Sequence, residues 1–86
     1  MPRLSEFYGI IVEMYWDDHN PPHFHAKYGG DKAEIEIRTL GLFCGHLPPK
    51  AHALLIEWAA LHQDELLARW NSARRHEPLA RIAPLE

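Results

Sequence analysis

The sequence has a single cysteine, Cys44, among its 86 residues. An internal disulfide is excluded, and a thiolate zinc site lacks the partner thiols it needs. Cysteine usage this sparse fits a reducing compartment. An excess of basic charge is missing too. Nine Lys and Arg stand against twelve Asp and Glu, a formal net charge of −3, with a pI near 6.1. The overall basic footprint of a nucleic-acid-binding domain is therefore absent, although Arg69, Arg74, Arg75 and Arg81 gather toward the C-terminus. No apolar run approaches the ~20 residues of a membrane span, and Met1 to Glu6 carries no signal-peptide pattern. A cytoplasmic protein without membrane contact is expected. Repeats and low-complexity tracts are also missing, and the length predicts one domain over residues 1–86.

What the chain does have is apolar and aromatic bulk, 47% hydrophobic residues including three Trp, enough for an efficient core in a small domain. Residues 7–16, FYGIIVEMYW, read as one strand. Tyr8, Ile10, Val12, Met14 and Trp16 share one face of it, and Glu13 and Tyr15 share the other. DDHNPP then breaks the pattern; Asp17, Asp18 and Asn20 read as turn formers. HFHAKY (23–28) alternates strictly, with Phe24, Ala26 and Tyr28 inward and His23, His25 and Lys27 outward. After the turn signal GGD, AEIEIR (33–38) alternates again, and LFCGHL suggests a short fourth strand.

Matching the apolar faces across GGD sets Lys27 opposite Glu34, His25 opposite Glu36 and His23 opposite Arg38. Across the first loop, Glu13 falls opposite His25 and Tyr15 opposite His23. From residue 49 onward, apolar residues at 51, 54, 55, 58, 61, 66, 67, 70 and 73 follow a helical period. The apolar stripe thins at His62 to Asp64, where a bend is expected if the helix is not continuous. Trp58 and Trp70 read as core. Pro78 ends the helix, and Leu79, Ile82 and Leu85 dock the tail or add an edge strand. The predicted architecture is α+β: a three- to four-stranded antiparallel meander with one long, kinked or continuous C-terminal helix packed on one face.

Three of the seven histidines, His19, His23 and His25, fall within DDHNPPHFHAKYGG. The plainest reading is a solvated polar sheet face, with His25 merely a cross-strand pair between Glu13 and Glu36. A second reading is metal-independent acid–base cleavage of a phosphodiester. His25 would serve as base or acid, His23 or His19 as its complement, and Lys27 would stabilise the developing charge, with Glu36 flanking His25. A third is a metal site in which His23 and His25 share Zn or another divalent ion, completed by Glu13, Glu36 or His19.

The segments MPRLSEFYGI, YWDDHNPPHFHAKYGG and LPPKAHALLIEWAALHQDELLARW together resemble the short prokaryotic domain-of-unknown-function family 4160. HNPPHFHA and PRLSEFYG are the most specific marks, and RTLGLFCG departs from the expected polar turn. The resemblance implies a gene context of toxin–antitoxin type, with a cognate small protein encoded alongside. On that reading the chain is a toxin-like component cleaving RNA through His25, His23 and Lys27 without a cofactor. The alternative is a non-enzymatic interaction module, or a Zn-binding protein, acting only in complex with its partner. A free sheet edge also invites homo-oligomers.

Overall fold

A computed structural model describes residues 2–16 and 18–86; Asp17, read above as a turn former, lies outside them. Five strands form one antiparallel sheet in sequence order: β1 (Arg3–Phe7), β2 (Ile10–Glu13), β3 (His23–Tyr28), β4 (Asp31–Glu36) and β5 (Leu42–Gly45). Two helices follow, α1 (Pro49–Leu61) and α2 (Gln63–Arg74). The α+β class is as predicted. The strand and helix counts differ from the prediction, and each difference has a local cause.

The segment 7–16 is not one strand, because the chain reverses at Tyr8 and Gly9. Both have positive φ, 49° and 80°, as a primed two-residue hairpin loop requires. RLSEF therefore pairs back on IIVE, with Phe7 opposite Ile10, and the sheet gains a strand. Tyr8, now in the turn, is 59% exposed rather than inward-facing. Trp16, beyond the end of β2, is exposed as well; its indole N–H donates to the Glu77 carbonyl at 3.0 Å. Tyr28 at the next hairpin is likewise exposed.

That second hairpin also corrects the predicted register. Gly29 and Gly30 alone make the loop, so Tyr28 pairs with Asp31 and the ladder slides by two residues. An even slip keeps every side chain on its predicted face and changes only its partner. His25 faces Glu34 instead of Glu36, and His23 faces Glu36 instead of Arg38. Glu13 opposite His25 is as predicted.

The long helix divides at His62, whose φ of −125° leaves the helical range. The break falls where the apolar stripe thins. Gln63 then turns its amide onto the sheet, donating to the Ile37 carbonyl at 2.8 Å. Both helices bury their tryptophans, as expected: Trp58 is 0% and Trp70 2% exposed. Trp58 packs against Phe7 and Phe24 of the sheet, and its indole N–H holds the tail through the Ala83 carbonyl. Ile82 is buried and donates its backbone N–H to Leu4, so the tail docks along β1. No helix of the described residues is long and apolar enough to cross a membrane.

β5 meets β4 through an irregular register between Glu34 and Ile35, and ends on Gly45 with φ +75°. A Cβ at Gly45 would run into the Lys32 carbonyl oxygen and its neighbours. Gly45→Ala is therefore expected to destabilise the fold by roughly 1–3 kcal/mol, from strain at positive φ together with this backbone clash. Gly30→Ala, with open space around it, should change stability little. Urea denaturation of the two variants checks the contrast.

Candidate metal centre on the sheet face

β3 alternates, so His23, His25 and Lys27 project from the face opposite Phe24 and Ala26. They do not all meet solvent there. Trp70 from α2 and Phe43 from β5 close on the His23 ring, each with its centroid 5.3 Å away. The His23 side chain is 3% exposed, so the expectation of an evenly solvated polar face fails at the start of β3. The loop between β2 and β3 returns Asp18 to this point. Its Oδ2 lies 2.8 Å from His25 Nε2 and 3.1 Å from His23 Nε2. Glu34 Oε1 stands 3.4 Å from the same His23 nitrogen.

The protons on His23 can be assigned chemically. Its Nδ1 lies 2.7 Å from the Pro21 carbonyl oxygen. A carbonyl only accepts, so the proton is on Nδ1 and Nδ1 donates. A neutral His23 then turns the lone pair of Nε2 toward two carboxylate oxygens. His23 is buried while Asp18 and Glu34 keep 23% and 31% of their side chains exposed, and three acceptors this close favour a proton or a cation among them. A proton shared between the ring and a carboxyl group meets this requirement, and so does a metal ion. A backbone carbonyl on Nδ1 is also the arrangement that orients a metal-binding histidine through Nε2.

The donor set fits a metal. Asp18, His23 and His25 each present a ligand atom, and these lie within 4.8 Å of one another. Tetrahedral zinc ligands at about 2.1 Å from the ion stand roughly 3.4 Å apart. The two Asp18 separations, 2.8 and 3.1 Å, are shorter than that and are hydrogen-bond distances as the cluster stands. Two imidazoles and one carboxylate, with positions left open, are a recurrent set for Zn²⁺ and non-haem iron.

A second group of contacts adjoins the first. Tyr15 stacks on His25, centroids 4.0 Å apart, and its hydroxyl makes a long 3.5 Å contact to Glu13 Oε1. Lys27 Nζ pairs with the same oxygen at 3.1 Å. His25, Lys27, Tyr15, Lys32, Glu34 and Cys44 line a depression of about 130 Å³, so His25 belongs both to the cluster and to the open space beside it.

Of the residues singled out in the sequence, His23 and His25 come together, and Lys27 lies next to them. Glu13 holds Lys27 and Tyr15 rather than the histidines. His19 is exposed in the loop and lines, with Asp18, Asn20 and Arg74, a hollow that does not include His23 or His25. Glu36 is the backbone partner of His23, but among the described residues no hydrogen bond or ion pair ties its side chain to the cluster. Arg38 lines a different groove with Pro22 and Arg74. The residue that sequence reading missed is Asp18. Its signal was the spacing of a carboxylate five residues before His23, and the turn-forming role of Asp in the DDHNPP stretch masked it.

Burial, then the Glu13 carboxylate, pushes the Tyr15 phenol above its ordinary value, with Lys27 opposing. Glu13→Gln should lower the Tyr15 pKa and Lys27→Met should raise it, read by NMR of the ring carbon that bears the hydroxyl. Because the folded-state value is raised, the associated stability is present below the ordinary phenol value of 10.0 and is lost as pH rises past it.

No curated protein and no solved structure matches the chain. A family profile does match, over residues 9–71. That span includes Asp18, His23, His25 and both walls of the depression, and leaves out β1 and the tail. On this match the chain belongs to the family described as Domain of unknown function (DUF4160).

Proposed function

We propose that Asp18, His23 and His25 form a mononuclear divalent-metal centre of the zinc class, and that the depression beside His25 receives a substrate for metal-assisted hydrolysis. The observation that carries this reading is the buried His23 Nε2. Its Nδ1 proton is committed to Pro21, and two carboxylate oxygens face the other nitrogen at 3.1 and 3.4 Å. A metal ion held by Asp18, His23 and His25 would satisfy the two imidazole nitrogens and the Asp18 oxygen, with the Glu34 carboxylate beside it. Held by these three residues with positions left open, zinc would supply a bound water acidic enough to ionise at about pH 7. Glu13, Glu34 and Glu36 on the same face favour a cation there.

Calorimetric titration with Zn²⁺ should give one equivalent bound per chain. At a free zinc concentration of 100 Kd, stability should rise by about 2.7 kcal/mol, seen as a higher Tm. Asp18→Asn and His25→Ala should each weaken binding at least tenfold while remaining folded by circular dichroism. Zinc binding unchanged in both variants would contradict the assignment. His23 is too deeply packed for His23→Ala to serve alone.

A second reading keeps the proton as the cation. Asp18 orients His25, and Lys27 lines the same depression, a pairing able to run acid–base chemistry on RNA as the toxin-like half of a gene pair. Inducible expression separates the two readings. Growth arrest with RNA cleavage that persists in EDTA and disappears in His25→Ala favours the second. No cleavage in EDTA, restored by zinc, favours the first.

A further inference from the structure

Lys27 and Lys32 stand directly opposite each other on β3 and β4. Antiparallel partners project to the same face, and like charges so placed repel. Lys27 is balanced by Glu13 at 3.1 Å. Among the described residues Lys32 has no ion-pair partner. Both lysines line the depression that also contains His25 and the Glu34 carboxylate, and His25 connects that hollow to Asp18. With Lys27 engaged by Glu13, the charge left without an ion-pair partner beside the hollow is that of Lys32, and it is suited to an anion from outside the chain.

We infer that Lys27 and Lys32 form a phosphate subsite, holding a phosphate group of the substrate beside the metal centre. Lysine binds phosphate as a mobile point charge, so a cross-strand pair can grip two of its oxygens without a fixed fork. The third unesterified oxygen of a monoester, or the bridging side of a diester, is left to face His25 and the ion. A carboxylate has no oxygen to spare for that third contact. The hollow is small, about 130 Å³, so the phosphate group enters and the rest of the ester stays outside. Gly45 helps keep the rim low, since it lines the same hollow without a side chain. The substrate role of this subsite rests on the metal-centre reading, but its binding of phosphate does not.

Inorganic phosphate is the probe, titrated into the ¹⁵N-labelled full chain with and without zinc and followed by amide NMR. Saturable shifts should centre on Lys27, Lys32 and Gly45. Lys32→Ala, an exposed position, should fold normally and bind zinc as the wild type does. Its phosphate affinity should fall fivefold or more, and Lys32→Glu should abolish binding. Acetate at equal ionic strength should not reproduce the shifts. The inference is overturned if phosphate gives no saturable shift in either state, if Lys32→Ala binds phosphate as the wild type does, or if acetate binds equally well at the same residues. Phosphate binding that survives in a chain unable to bind zinc would support the subsite while removing the metal centre, so the two failures are distinguishable.

Discussion

Asp18 offers one carboxylate oxygen to two imidazoles, and the polar half of the molecule is organised around that sharing. The two contacts, at 2.8 and 3.1 Å, bind the β2–β3 loop to the first three residues of β3. The same loop supplies the Pro21 carbonyl that holds the far side of the His23 ring. His23 is thus fixed at both nitrogens, with Trp70 and Phe43 packed against its faces. A polar ring this deeply enclosed is tolerated only when all its groups are satisfied. Removing one partner would leave the others exposed to the full cost of burial, so loop, sheet and second helix are coupled at this point.

Charge then grades outward across the face. Carboxylates crowd the enclosed end, where Asp18 and Glu34 meet His23. Toward the β3–β4 turn they give way to Lys27 and Lys32. His25 lies between the two zones, bonded to Asp18 on one side and open to the depression on the other. Such a gradient suits a site that first holds a cation and then, next to it, an anion. Tyr15 stacked on His25 and tied to Glu13 limits how far that imidazole can swing, which keeps the two zones in register.

Much of this was legible from alternation alone. HFHAKY placed Phe24 and Ala26 in the core and His23, His25 and Lys27 together on the other face, and the pairing of Glu13 with His25 followed from matching apolar faces. The helical stripe located Trp58, Trp70 and the weak point at His62. Three features were not legible. The Tyr8–Gly9 reversal was hidden inside a run of strand-forming residues, because one glycine and an aromatic residue do not announce a turn. The two-residue Gly29–Gly30 loop gave the same facing as a longer one, so the choice between Glu34 and Glu36 depended on a turn geometry that alternation does not encode. Asp18 is brought to the histidines by the path of a proline-containing loop. That tertiary fact has no periodic signature, and the usual role of Asp in turns concealed it.

The central claim is that a metal ion occupies the space between three named atoms. Anomalous diffraction from crystals grown with zinc, recorded on both sides of its absorption edge, tests this most directly. The account predicts one peak about 2.0–2.2 Å from Asp18 Oδ2, His23 Nε2 and His25 Nε2, with the Pro21 contact to His23 Nδ1 retained. A cluster without such a peak, its Asp18–imidazole distances unchanged in saturating zinc, would contradict it and leave hydrogen bonds alone holding the site together.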